Sequence, residues 1–145
     1  VLHIFGHRDE ETLRLADRVC TALQLASFWQ NVGADLRRDR IYLPQDEMES
    51  FGVTEAGLKG RSFDEGFLRL MQFQVRRTRE IFESGRRLPN ALDRGPRTEV
   101  RVMWLAGMEI LNKIEWQGFD TLHRRPGLSK IDFIRLLARA VLRRW

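Results

Sequence analysis

The chain has 145 residues, 43% of them hydrophobic and 31% charged, which excludes a disordered or collagen-like polymer and leaves an ordinary globular domain with a real core. A single cysteine, Cys20, excludes an intrachain disulfide framework and an all-cysteine metal site, and no apolar run approaches the length that spans a bilayer. The net charge of +5 is uneven: Arg124, Arg125, Lys130, Arg135, Arg139, Arg143 and Arg144 crowd the C-terminal end against Asp132, a surface that attracts phosphates without choosing among their carriers.

The opening VLHIFGHRDE has neither a basic leader nor a small-residue cleavage site, so no secretory signal is expected. Asp9 can cap a first helix that continues to about Arg38. Along it Leu13, Ala16, Val19, Cys20, Leu23, Ala26 and Trp29 or Gln30 recur at three- and four-residue steps, which reads Cys20 as a buried structural thiol. The residue before Pro44 is pushed to extended geometry, and Pro44 suits the start of a short helix, PQDEMESFG, that Gly52 ends. Thr54 can cap another short helix before Gly60.

Ser62 and Glu65 have capping-box spacing ahead of a longer helix. Its apolar face is Phe63, Phe67, Leu70, Met71, Val75, Thr78, Ile81 and Phe82, and Gly85 is its natural stop. RRLPNALDRGP reads as a polar connection. A further helix is expected from about Arg97 to Gln117, closed by Gly118, and a last one after Ser129 with Asp132 in its first turn. The pattern is helical nearly throughout: one all-α domain over residues 1–145, without repeats. His3, His7 and His123 show no ligand spacing and read as surface or loop side chains.

Within LQLASFWQNVGADLRRDRIYLP (Leu23 to Pro44), Gln24, Ser27, Asn31 and Asp35 follow at steps of three, four and four, a polar row on one helix face. Apolar neighbours on both sides predict that this stretch is buried on more than one side, so the row should face an interior. Inter-helix hydrogen bonding is one reading. A cleft wall that handles Mg2+ and a phosphate-bearing substrate is the other, for which Asp35 alone is too little carboxylate.

The same stretch resembles the second aspartate-rich motif of the squalene and phytoene synthase family, a helix of the form LQLxNxxxDxxxD followed by an arginine and YLP. Its FWQ resembles the bacterial hydroxysqualene synthase branch more than the phytoene branch. GMEILNKIEWQGFDTLHRRPGLSK (Gly107 to Lys130) resembles the family's C-terminal segment, with its isoleucine-leucine pair, glycine-aromatic-Asp step and arginine cluster. The family's chains are longer and carry a first aspartate-rich motif upstream, so this chain is similar to the C-terminal half of such an enzyme.

The resemblance implies an all-α, helical isoprenoid-synthase-like fold around a central cavity, and a prenyl diphosphate substrate, farnesyl or presqualene diphosphate. Ionisation is assisted by Mg2+, and the carbocation is held in an apolar cavity. Carried over by position, Asp35 matches the motif's last aspartate, a catalytic and metal-binding place. Asn31 stands at the other aspartate and Ser27 at the asparagine. Gln24 lines the same face, Arg40 lies near the diphosphate, and Tyr42 belongs to the same motif. Arg124 and Arg125 match the arginine cluster, and Phe28 and Trp29, with Phe67, Phe73 and Trp104, are candidates for an aromatic wall.

The implied partners are the prenyl diphosphate, an N-terminal half or a second copy, and no nucleic acid; the implied location is the cytoplasm, free or peripheral at the inner face of the membrane. Two alternatives stay open at this level: a non-catalytic scaffold or assembly protein of the same fold, and a basic helical module that binds phosphates or a membrane surface.

Overall fold

The computed structural model describes residues 9–142 and is all-helical over them. The elements are α1 (Glu10–Gln30), α2 (Val32–Leu36), α3 (Gln45–Ser50), α4 (Glu55–Lys59), α5 (Glu65–Ser84), a 3-10 turn (Leu88–Ala91), α6 (Arg94–Trp116) and α7 (Lys130–Val141). His3, His7, Arg143 and Arg144 lie outside the described residues.

The caps explain most boundaries. Asp9 accepts from the Thr12 amide at 2.8 Å, Thr54 from Gly57 at 3.0 Å, and Ser129 forms a reciprocal capping box with Asp132. The box expected at Ser62 is absent; Asp64, nearer the first helical residue, caps α5 by accepting from Phe67 at 2.9 Å. α6 starts at Arg94, earlier than the Arg97 expected, because Pro96 fits a first turn whose amides have no helical partner. The supposed polar connection contains the 3-10 turn, with Leu88 and Pro89 buried.

The long first helix is broken. Asn31 leaves helical geometry (φ −102°, ψ 7°), and two residues on, the Gly33 amide donates across the fold to Thr121 O at 3.1 Å. Competition for backbone partners thus ends α1 eight residues before Arg38 and starts the one-turn α2.

α1, α5 and α6 pack against one another, with α7 laid on α6. Trp29, Phe67, Leu70, Met71, Phe82, Leu111 and Ile114 form the densest part of the core, each 1% exposed or less. The Trp29 indole donates to Thr78 Oγ1 at 2.8 Å, Thr78 donates to Gln74 O at 2.7 Å, and the buried Gln74 side chain meets Glu47 and Arg77. The Trp29, Thr78 and Gln74 polar groups are therefore paired as burial requires.

Cys20 is exposed, against expectation. On α1 the buried stripe is Val19, Ala22, Ala26 and Trp29, and Cys20 lies around the helix from it, in line with the polar row. Among the described residues no helix is long and apolar enough to cross a membrane.

Candidate functional site

The polar row faces outward over the described residues. Gln24 and Ser27 are exposed, while Asn31 and Asp35 are half-buried. The chain's own helices cover only the opposite face of α1, so the expectation of an interior for this row is corrected: small Ala22 and Ala26 bring α5 and α6 to one side, and no helix among the described residues covers the other.

What the fold adds is a loop. Residues 117–129 return from α6 to the break after α1, held by bonds at several points: Gln117 Nε2 to Arg124 O at 2.9 Å, Gln30 Nε2 to Pro126 O at 2.5 Å, Lys113 Nζ to Gly127 O at 2.9 Å, and Gly33 N to Thr121 O. Gly33 is required there, since a Cβ would come within 2.3 Å of Leu122 O. The loop is thereby fixed with Arg125 over the row, and Arg125 Nε donates to Asn31 Oδ1 at 2.6 Å. Asn31 in turn donates through Nδ2 to Ser27 O at 2.9 Å and, more loosely, to Ser27 Oγ at 3.4 Å.

Of the two matched arginines, Arg125 reaches the row; Arg124 is exposed, and its bonds to Gln117 and Asp120 are made by its backbone. Asp35 and Arg40 line one small pocket with Phe28 and Tyr42, whose volume of about 10 Å³ holds no more than one water. A larger ligand must therefore lie on the open side of the row. Phe28 and Tyr42 stack with centroids 4.5 Å apart and planes within 6°, and Trp29 meets Phe28 edge-on at 6.4 Å. Trp29, Phe67 and Trp104 belong to the closed core, at 1%, 1% and 5% exposure. Half-buried Phe73 lies under the Arg77 guanidinium, 5.0 Å from its centroid.

The Mg2+ that the resemblance implies can be tested on this donor set. Mg2+ favours octahedral sites of hard oxygens, with one or two carboxylates beside substrate phosphates and waters. Here Asp35 is the row's single carboxylate, and the amide oxygen of Asn31 already accepts from a cation. Among the described residues no group of three or more His, Cys, Asp or Glu side chains is close enough to hold a metal ion. The row by itself does not fit a magnesium site.

The loop leads directly into α7, and electrostatics anchors that junction. Asp132 Oδ2 accepts from Lys113 Nζ at 2.7 Å, Ser129 N at 2.8 Å and Ser129 Oγ at 2.9 Å, which together hold its carboxyl far below the ordinary carboxylate range. Arg135 adds a 2.7 Å ion pair to the buried Glu109 of α6. The part of Gly33, Gln30 and Thr121 in positioning the loop went unread in the sequence, Gln30 being placed only in the helical pattern beside Trp29; the available signal was a glycine inside a helical pattern where no cap was needed.

A family model described as squalene/phytoene synthase matches residues 1–132. Phytoene synthase 3, chloroplastic, of Zea mays is 38% identical over 125 residues, 84% of this chain and 29% of that protein. The 15-cis-phytoene synthase of Synechococcus elongatus is 36% identical over 104 residues, 72% of this chain and 34% of its own length. Among solved structures, squalene synthase HpnC from Alicyclobacillus acidocaldarius superposes with a TM-score of 0.78 at 36% identity, over 81% of this chain and 45% of that one. A dehydrosqualene synthase solved in complex with a ligand shares the fold, with a TM-score of 0.82 at 21% identity over 95% and 50% of the two chains. The chain thus spans roughly a third of these curated relatives and at most half of these solved ones.

Proposed function

Because this chain belongs to the squalene/phytoene synthase family and has its all-α, isoprenoid-synthase-like fold, we propose that residues 1–145 form the C-terminal half of a prenyl diphosphate-utilising synthase that ionises presqualene or farnesyl diphosphate. The hydroxysqualene and squalene branch is the better fit, supported by FWQ at Phe28 to Gln30 and by the likeness to HpnC. The observation that carries the reading is the 2.6 Å bond between Arg125 and Asn31: it joins the two stretches of sequence that resemble the family, 94 residues apart, into one surface.

On that surface each residue has a part that follows from its chemistry. Departure of diphosphate leaves negative charge, and the Arg125 fork and the exposed Arg40 are the cations that meet it. Asp35, Gln24 and Ser27 orient polar groups and water around the head group. The stacked Phe28 and Tyr42 present π faces at the rim, where a developing carbocation gains from the ring quadrupoles. Trp29 backs that pair from the core and keeps Phe28 in place. The opposite wall, needed to exclude water, comes from outside this chain, as do the carboxylates that would complete a Mg2+ site. The chain is assigned to the cytoplasm, free or against the inner face of the membrane, without a nucleic-acid partner.

The test is to incubate the protein carrying this chain with Mg2+ and either presqualene or farnesyl diphosphate and to follow released inorganic diphosphate. Release above background is expected with one of them; none with either overturns the reading. The neutral Asn31 favours a second reading, a non-catalytic scaffold of the same fold. Asn31→Asp separates the two: magnesium-dependent turnover rises in an impaired enzyme and stays at zero in a scaffold.

A further inference from the structure

Asn31 and Arg125 form a pair whose charge does not cancel. Where an aspartate would neutralise the guanidinium, an amide oxygen accepts its Nε proton and leaves the positive charge whole. Asn31 is itself held, since its Nδ2 is committed to Ser27. Its oxygen therefore points at Arg125, and the guanidinium is held by one edge. Among the described residues Arg125 makes no ion pair and no other side-chain hydrogen bond, so Nη1 and Nη2 remain as a free, planar fork on the open face. The loop that carries it is held on both sides of Arg125: Arg124 O accepts from Gln117 at the loop's start, and Pro126 O and Gly127 O accept from Gln30 of α1 and Lys113 of α6. A fixed, uncompensated guanidinium of this kind matches two oxygens of a phosphate group and repels a divalent cation at the same spot.

We infer that the row binds a phosphate oxyanion directly on the Arg125 fork, in the absence of metal, and that the Asn31 position in this chain holds a guanidinium in place of a divalent cation. The identity of that oxyanion as the diphosphate end of a prenyl substrate rests on the function proposed above. The binding does not.

The 145-residue chain tests this with inorganic pyrophosphate, titrated by calorimetry in EDTA and again in Mg2+, and with Mn2+ alone, followed by electron paramagnetic resonance. Pyrophosphate should bind in EDTA, and Arg125→Gln should weaken it by about tenfold or more while helicity by circular dichroism stays unchanged. Asn31→Asp should neutralise the fork, weaken metal-free pyrophosphate binding in the same way, and create a Mn2+ site with Asp35 that a further Asp35→Asn removes. Pyrophosphate binding only when Mg2+ is present, equal affinity in Arg125→Gln, or Mn2+ binding to the unaltered chain that Asp35→Asn abolishes would each overturn the inference. Diphosphate release by the enzyme with no metal-free binding here overturns this inference alone, whereas metal-free binding without release from either prenyl diphosphate overturns the proposed reaction alone.

Discussion

The two long faces of α1 meet opposite conditions. On one, Val19, Ala22, Ala26 and Trp29 are buried against α5 and α6, and the single polar atom Trp29 brings in, its indole N–H, is spent on Thr78. On the other, Cys20, Gln24, Ser27 and Asn31 stand in line with no covering helix among the described residues, and their polar atoms turn to solvent, to the local backbone or to Arg125. The same helical repeat produces both faces. One face is committed to the fold and the other is left for a ligand or a further wall.

The buried face is the more sensitive of the two, and Trp29 is its largest side chain. Trp29→Ala opens a cavity and removes the bond Thr78 accepts, and is expected to cost about 3–5 kcal/mol in chemical denaturation, while Gln24→Ala or Ser27→Ala on the open face stays within about 0.5 kcal/mol. Equal losses on the two faces would mean that the row is packed after all. Gly33→Ala comes next. Its Cβ has to displace the backbone of Leu122, for an expected loss of about 1–3 kcal/mol, and the displacement should carry Arg125 off the row and weaken pyrophosphate binding with it.

A smaller effect is expected where the loop enters α7. Lys113 and Ser129 depress the Asp132 carboxyl from its ordinary value of 3.8, so its stabilisation is complete above that pH and drains away as the solution is acidified below it. Asp132→Asn should lower the melting temperature at neutral pH and flatten the acid limb of the stability curve; an unchanged limb would remove Asp132 from the account. The smallest effect on stability falls on the outer side of α7, where Ile131, Ile134 and Leu137 are 77%, 69% and 51% exposed. Replacing all three with serine should leave the melting temperature nearly unchanged while reducing hydrophobic-dye binding and any self-association measured by analytical ultracentrifugation.

Much of the fold was legible because caps and apolar spacing are local. Asp9, Thr54 and Ser129 announce their helices through side chains that reach amides three residues on, and Gly118 ends α6 in the left-handed geometry (φ +71°) that suits it. Ser62 misled because its capping-box spacing to Glu65 is as good on paper as the shorter reach of Asp64. The break at Asn31 was invisible for another reason: the bond that takes the Gly33 amide out of the helix comes from Thr121, far away in sequence. Cys20 was misread because its spacing from Val19 and Leu23 does not say where the buried stripe ends.

For the site, residue type and spacing along one chain identified the polar row with Asp35 as its single carboxylate, and the resemblance to the family added the missing carboxylate at Asn31 and the two arginines. Only the tertiary structure decided that the row looks outward, that Arg125 and not Arg124 reaches it, and that the pocket beside Asp35 is too small for a substrate. Those outcomes depend on which face of α1 wins the contact with α5 and α6 and on how closely the returning loop can approach at Gly33, and both are settled by packing between segments distant in sequence.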